Sequence, residues 1–227
     1  MIDDGDRIAI GVSGGKDSIS LLYALAEMRR FYPKHFDIEA ITVSLGFSDA
    51  DYSTIQSLCD RLNVRYTIVE TQIAQIIFDE RKEANPCSLC AKMRKGALNN
   101  AAEELGCNKV ALGHNKDDVT ETFLMSLIFE GRIGCFSPVS FLEKKKLYSI
   151  RPLIYVSEYE TRSFVRGIGM SPVKNPCPAD GNTKRQEIKE LIQFLGKTYP
   201  NINQQIFGAV TRGLADWKPG DTIVRND

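Results

Sequence analysis

Short apolar runs alternate with longer amphipathic stretches along roughly the first 130 residues of the chain. Apolar runs of four to eight residues between turn signals are typical of buried strands, and apolar residues every three or four positions are typical of one helix face. The predicted strands are 7–12, 38–45, 65–69 and 109–112. The predicted helices are 18–31, 51–62, 88–105 and 117–129.

This alternation predicts an α/β fold in which helices cover both faces of an open, mostly parallel, twisted sheet. Ligands of such sheets bind beyond the carboxyl ends of the strands. We therefore expect the turns after Val12, Leu45 and Leu112 to meet at one crevice.

The pattern changes after Ser137, where prolines separate shorter segments. A hairpin is predicted around 143–146, and helices are predicted over 157–168 and 184–195. We expect residues 1–199 to form one domain that includes the functional site. Residues 200–227 are expected to form a helical tail.

Composition favours a cytoplasmic protein without a membrane partner. The 227 residues carry 29 basic and 29 acidic side chains, and no apolar run reaches the 18 or more residues typical of a membrane span. The first residues also lack the basic and apolar parts of a signal peptide. In a cytoplasmic chain, the six cysteines are expected to be thiols or metal ligands rather than disulfides.

A glycine-rich turn between the first strand and the first helix is a candidate phosphate site, because helix amino termini bind anions. It consists of Ser13, Gly14, Gly15, Lys16, Asp17 and Ser18. It is not a Walker A loop, in which Ser or Thr follows the lysine. An acid beside phosphate favours a divalent cation between the two, so Asp17 predicts magnesium together with a nucleotide. The alternative is a turn that only joins strand to helix.

A second candidate segment follows the fourth strand, at the same predicted edge of the sheet. Gly113 and His114 are expected to contact the nucleotide, together with Thr42 and Val43 from the second strand. Asp117 and Asp118 either act near the reacting phosphate and metal or only complement the dipole of the helix that they open.

Three cysteines form the other candidate site. Cys87 and Cys90 are spaced Cys-x-x-Cys, and the tripeptide Asn-Pro-Cys that contains Cys87 recurs at Cys177. Neither histidine is near them in sequence, whereas structural zinc usually has four protein ligands. Three thiolates with an open fourth position suit an iron-sulfur cluster, while a zinc site and a redox pair remain alternatives.

These motifs together resemble the tRNA 2-thiocytidine synthetase (TtcA) family of N-type ATP pyrophosphatases, over about residues 2–191. The resemblance implies that Cys87, Cys90 and Cys177 bind a 4Fe-4S cluster. It further implies that ATP binds on the glycine-rich turn and is cleaved between its α- and β-phosphates. Lys16, Asp17, Asp117 and Asp118 would be the catalytic residues, with Asp17 holding magnesium.

The activity implied by this family is tRNA thiolation. A base carbonyl, most simply C2 of an anticodon-loop cytidine, would be adenylated, and sulfur delivered through the cluster would replace its oxygen. The sulfur donor would be a cysteine desulfurase persulfide or free sulfide, and a homodimer is possible. The alternatives are 2-thiouridine formation, a lysidine-synthetase-like ligase with structural zinc, and a nucleotide sensor without turnover.

One residue departs from the family, since Asn115 occupies a position where many members have a second histidine. Asparagine forms hydrogen bonds but does not titrate at neutral pH, so acid-base chemistry is not expected there. Two basic groups flank the cysteines and are expected to contact RNA phosphates. They are Lys92, Arg94 and Lys95 after Cys90, and Lys184 and Arg185 after Cys177.

Overall fold

The computed structural model describes residues 1–48, 50–83, 86–173, 177–178, 183–217 and 223–225. Of the two Asn-Pro pairs that precede the candidate cysteines, Asn85, Asn175 and Pro176 lie outside these residues.

The strands of the described residues form one sheet in the order β3-β2-β1-β4-β6-β5-β7. They are β1 (Asp6–Gly11), β2 (Phe36–Ser44), β3 (Arg65–Glu70), β4 (Lys109–Ala111), β5 (Val139–Leu142), β6 (Leu147–Ile150) and β7 (Ile223–Arg225). Only the β5–β6 pair is antiparallel among these strands, because β5 and β6 form the predicted hairpin. The expectation of an open, mostly parallel sheet is confirmed.

Seven α-helices accompany the sheet in the described part of the chain. They are α1 (Lys16–Met28), α2 (Ser53–Leu62), α3 (Pro86–Glu104), α4 (Lys116–Glu130), α5 (Glu158–Gly167), α6 (Lys184–Thr198) and α7 (Ile202–Gly213). The sequence did not predict the short π-helix Gln75–Glu80 that precedes α3. No helix of the described residues has both the length and the apolar character needed to cross a membrane.

The alternation of side chains along β1 places helices on both sides of the sheet. Ile8 and Ile10 are fully buried in a core with α1 and α2, whereas Ala9 points to the other face and packs in a core with α3. Successive side chains of a strand point to opposite faces, and a strand buried on both faces is apolar throughout. The central strand is therefore covered on both sides, as its apolar sequence predicts.

The segment after residue 199 packs against the rest of the chain. Val210 of α7 and Trp217, at the end of the 3₁₀ helix Ala215–Trp217, share a buried cluster with Val119 and Ile154. The segment also contributes β7, a strand that the sequence did not predict, which pairs in parallel with β5.

Replacing Trp217 by alanine is predicted to lower the free energy of unfolding by about 3–5 kcal/mol, the usual cost of truncating a buried aromatic side chain. Trp217 is 5% exposed and contacts the rings of Tyr155 and Phe207. Urea denaturation followed by circular dichroism measures the change. Phe194→Ala is the control, since Phe194 is 68% exposed. An equal, small effect of both substitutions would contradict this packing.

Candidate active site

A cavity of about 530 Å³ lies at the carboxyl edge of the sheet, where the sequence predicts a crevice. It runs from the end of β2 past the amino terminus of α1 to the ends of β4 and β6, and α3 covers it. The predicted nucleotide residues that line it are Ser13, Gly15, Asp17, Ser18, Val43, Gly113 and His114. We call it the nucleotide cavity.

The glycine-rich turn is shaped as an anion cradle. Gly15 precedes α1 and, among the described residues, no side chain caps the first N–H groups of that helix. Such uncapped N–H groups, with the positive end of the helix dipole, favour a bound anion. Gly14 has a φ of +80° and its carbonyl accepts a hydrogen bond from the N–H of Val173, so it supports the turn from outside the cavity.

Asp17 is held by hydrogen bonds from three side chains. Its Oδ1 accepts from Asn115 Nδ2 at 3.0 Å and from the Thr161 hydroxyl at 2.6 Å. Its Oδ2 lies 2.9 Å from Lys16 Nζ. These contacts fix the orientation of the carboxylate, with one oxygen accepting from two neutral donors and the other paired with the ammonium of Lys16.

Asn115 caps helix α4, a role that the sequence did not predict. It is 3% exposed, and its Oδ1 accepts from the N–H groups of Asp117 and Asp118, which caps α4. Asp118 Oδ2 in turn accepts from the Asn115 N–H at 2.9 Å, which completes a capping box. An asparagine here links the start of α4 to Asp17.

Lys16 is shared between two carboxylates, since its Nζ lies 2.9 Å from Asp17 Oδ2 and 3.1 Å from Glu158 Oε1. Burial disfavours the ammonium, but the hydrogen bonds and charges of both acids outweigh this and raise the pKa of Lys16. Burial also disfavours the charged form of Glu158 and by itself would raise its pKa. The contacts with Lys16 and Lys189 outweigh burial and lower the pKa of Glu158 to about 2. Both groups are charged at neutral pH.

Five residues predicted for the nucleotide or catalytic site do not line the nucleotide cavity, namely Gly14, Lys16, Thr42, Asp117 and Asp118. Asp117 accepts from the Glu158 N–H and from Asn203 Nδ2, each at 2.6 Å, so both oxygens serve the packing of α5 and α7. Asp118 caps α4 and also binds Arg185. Thr42 is 2% exposed, and its hydroxyl donates to the Val12 carbonyl at 2.6 Å.

Arg185 was expected to contact RNA phosphates, but the structure commits it to acids of α4. Its Nη1 lies 3.1 Å from Asp118 Oδ1 and 2.9 Å from Glu121 Oε2. Glu121 is 3% exposed, and a buried carboxylate requires a partner. Arg185 therefore fixes α6 to α4. Lys184 pairs with Glu187 of its own helix.

His114 is a neutral group of this site. Burial and then the positive charges of Arg151 and Arg185 lower the pKa of His114 to about 3. Its ring packs against Phe136, with 4.7 Å between the centroids. At neutral pH it offers an uncharged ring surface and hydrogen bonds rather than a cation.

The three candidate cysteines line a second cavity, of about 190 Å³, beside the nucleotide cavity. We call it the cysteine cavity. Cys87 and Cys90 come from the first two turns of α3, and Cys177 comes from the segment before α6. Its remaining wall is mostly apolar and includes Leu45, Phe47, Ile73, Ile77 and Phe78.

Three thiols around one cavity could hold a 4Fe-4S cluster. Within the described residues, no group of three or more His, Cys, Asp or Glu side chains is placed to hold a single metal ion. In a 4Fe-4S cluster each thiolate binds a different iron, so three cysteines around one cavity fit it and leave one iron without a protein ligand. The apolar wall is the low-dielectric surrounding that tunes such groups.

Ala91 and Arg94 line both cavities, so a single turn of α3 separates them. Burial raises the pKa of the Cys90 thiol, and the neighbouring Arg94 guanidinium opposes this effect. Cys59, Cys107 and Cys135 line neither cavity. Burial raises the pKa of Cys59 to about 12 and that of Cys107 to about 11, consistent with inert core thiols.

Sequence reasoning did not identify Glu158, Thr161 or Asn203 as site residues. They lie far along the chain from the glycine-rich turn, in α5 and α7, where the sequence predicts helices but no site. The capping signal Ser157-x-x-Glu160 was the one local indication that α5 begins near the site.

Comparisons with known proteins agree with this arrangement. Residues 3–195 match the PP-loop domain family. The chain is 36% identical to a tRNA-cytidine(32) 2-sulfurtransferase of Pelobacter propionicus over 214 residues, which covers 93% of this chain and 80% of that protein. It is also 36% identical to the enzyme of the same name from Dichelobacter nodosus, with 93% and 80% covered.

A solved structure is similar over most of the fold. The U34-tRNA thiolase NcsA from Methanococcus maripaludis, determined with its [4Fe-4S] cluster, superposes with a TM-score of 0.76 at 27% identity. The match covers 92% of this chain and 72% of that one.

Thr161→Val is predicted to weaken ATP binding about tenfold, because Asp17 Oδ1 loses one of its two donors. The loss of this buried hydrogen bond is also expected to lower the free energy of unfolding by about 1–2 kcal/mol. Calorimetric titration and urea denaturation measure the two effects. Thr161→Ser, which keeps the hydroxyl, is the control. Unchanged ATP affinity in the valine variant would contradict a positioning role for Thr161.

The ion pairs of Glu158 predict a pH-dependent loss of stability. Because the folded pKa of about 2 is below the ordinary value of 4.5, its contribution is complete above pH 4.5 and is lost as the pH falls towards 2. The stability difference between wild type and Glu158→Gln should therefore shrink over that interval in urea titrations. Glu104→Gln, an exposed site in α3, is the control. A constant difference would refute the assignment.

Proposed function

We propose that this chain, which belongs to the tRNA-cytidine(32) 2-sulfurtransferase family of PP-loop domain proteins, uses ATP to replace an oxygen atom of a tRNA base with sulfur. The observation that carries the proposal is the adjacency of two cavities, one built for a nucleotide and one lined by three thiols, with Ala91 and Arg94 in both walls. Activation and sulfur transfer would then occur without moving the base.

The first half-reaction is adenylation of the base. The carbonyl oxygen attacks the α-phosphorus of ATP, the bond to the β-phosphate oxygen breaks, and pyrophosphate leaves with the bonding electrons. The free N–H groups of α1 bind phosphate oxygens, and Lys16 supplies a positive charge once it turns from Glu158. Asp17 is the single acid in the described wall of the cavity and would hold magnesium together with the phosphates.

The second half-reaction replaces AMP by sulfur. Hydrosulfide attacks the activated carbon, AMP leaves with the original base oxygen, and loss of the sulfur-bound proton leaves the thiocarbonyl. If a persulfide attacks instead, a second thiol then attacks its S–S bond, which releases the thiocarbonyl and a disulfide. Cys87, Cys90 and Cys177 would hold a 4Fe-4S cluster. When bound, such a cluster supplies an iron without a protein ligand where sulfur can be held next to the base. Arg94 lies between the two reacting groups and can bind an anion on either side.

We assign C2 of an anticodon-loop cytidine as the target, because the two sequence relatives described above are cytidine sulfurtransferases. The similar solved structure is instead a U34-tRNA thiolase, so a 2-thiouridine is the second candidate. In either case the base must leave the stacked loop to enter the cavity. The exposed Lys92, on the same helix as Arg94, is available to contact phosphates of the incoming RNA.

The decisive experiment combines anaerobically reconstituted protein with unmodified tRNA, ATP, magnesium and sulfide. Mass spectrometry of the digested tRNA should find 2-thiocytidine, and AMP should form in equal amount. Cys87→Ser is expected to lower iron and sulfide content and to reduce thiolation at least a hundredfold, since one of three cluster ligands is lost.

Cys135→Ser is the matched control, because Cys135 lines neither cavity. It should retain iron, sulfide and activity. Formation of 2-thiouridine alone would redirect the substrate, and tRNA without any thionucleoside would refute the proposal.

A further inference from the structure

A third cavity lies at the opposite edge of the sheet from the nucleotide cavity, and the proposed reaction does not use it. It has a volume of about 500 Å³ and lies where β1, β2 and β3 begin, beside the carboxyl ends of α1 and α2. Since β1 has six residues and is about 20 Å long, a ligand here would be far from the nucleotide cavity. We call it the amino-edge cavity.

The wall of the amino-edge cavity carries as many basic as acidic side chains. They are Arg7, Arg29, Arg65, Asp37, Glu39 and Asp60. The guanidinium groups repel a metal cation, and the carboxylates repel phosphate or any other simple anion. A neutral apolar ligand would remove water from these charges without replacing its hydrogen bonds. The wall therefore favours a ligand that carries both signs of charge.

Three buried polar atoms of this wall have no hydrogen-bond partner within the described residues. They are Glu39 Oε2, Arg7 Nε and Arg29 Nε. Glu39 is 2% exposed, and its other oxygen, Oε1, accepts from Arg7 Nη2 at 2.6 Å. Burying a charged group without partners is costly. The cavity thus requires a donor for Glu39 and an acceptor for the arginines, which one ligand can supply together.

Arg65 covers Glu39 but holds it weakly. Its Nη2 lies 3.4 Å from Glu39 Oε1, longer than an ordinary hydrogen bond, and its side chain is 72% exposed. Ion pairs of exposed side chains contribute little to stability, so Arg65 can turn away at small cost. A ligand can then reach the buried carboxylate from solvent.

The uncharged part of the wall is apolar. Ile38, Cys59 and Val64 line it and are 4%, 0% and 6% exposed. This surface suits a small aliphatic group, because burial of apolar area favours binding.

We propose that the amino-edge cavity binds a free α-amino acid with an aliphatic side chain. Its ammonium donates to Glu39 Oε2, its carboxylate accepts from Arg29, and its side chain packs against Ile38 and Val64. The inference goes beyond the proposed function and does not depend on it.

The test is calorimetric titration of the full chain with L-leucine and with two derivatives that each lack one charge. N-acetyl-L-leucine lacks the ammonium, and L-leucinamide lacks the carboxylate. L-leucine is expected to bind saturably, and each derivative at least about tenfold more weakly, since each loses a charge-assisted hydrogen bond. These titrations use the wild-type chain and do not depend on the folding of a variant.

Glu39→Gln keeps the shape of the side chain but removes its charge, and should weaken L-leucine binding at least about tenfold. The matched control is Glu70→Gln, an exposed acid at the far end of β3, which should bind L-leucine normally. L-leucine should also raise the melting temperature of the wild type and of Glu70→Gln, but not that of Glu39→Gln, because a ligand stabilises the fold to which it binds.

The site is refuted if the wild type shows no saturable binding of L-leucine up to about 10 mM. Equal binding of N-acetyl-L-leucine would make it an anion site, and equal binding of L-leucinamide would make it a cation site; either result overturns the proposal. Unchanged affinity in folded Glu39→Gln would place the ligand elsewhere and overturn it too. Thiolation of tRNA is not part of this test, so the failure of the proposed function would leave the site intact.

Discussion

The hydrogen bond from Asn115 to Asp17 joins the amino termini of two helices, and the rest of the site depends on it. Helix α1 begins at the end of β1, and α4 begins at the end of the adjacent β4. Gly113 permits their close approach, since a Cβ there would lie 3.0–3.1 Å from backbone atoms of Asp17 and Ser18. The amino terminus of α1 therefore faces the cavity with N–H groups that no side chain of the described residues caps, which favours a phosphate ligand, while the amino terminus of α4 is capped by Asn115 and positions Asp17.

A second group of charges fixes α6, the helix that follows Cys177. Arg185 and Lys189 of α6 pair with Glu121 of α4, and Lys189 also reaches Glu158 of α5. Glu158 in turn contacts Lys16 of the glycine-rich turn. Removing one member would leave a buried carboxylate under-paired, so the network favours a single position of α6. The same ion pairs thus connect the nucleotide cavity to the segment that carries the third cysteine.

The fold was predictable because its signals are local. Strand-like apolar runs and helical periodicity identified β1–β4 and the helices between them, and the sequence of the glycine-rich turn identified the nucleotide cavity. The contacts of Asp17 with Thr161, and of Asp117 with Asn203, were not predictable, because they join residues 144 and 86 positions apart. The sequence also does not reveal which acids form hydrogen bonds within the fold. Asp117 and Asp118 resembled catalytic carboxylates, yet their oxygens accept hydrogen bonds from α5, from α7 and from the start of α4. The pairing of Arg185 with Glu121 was not predictable either, because Glu121 looks like an ordinary acid of an amphipathic helix until the fold buries it.

The small side chain of Ala91 in the shared wall has a chemical consequence for a sulfur-transferring enzyme. With a methyl group at this point, the partition between the thiols and the nucleotide is only as thick as the helix backbone and one arginine side chain. Ala91 and Arg94 are themselves exposed, so this partition lies at the protein surface. A reactive sulfur atom would be protected here by the shortness of its path rather than by exclusion of water.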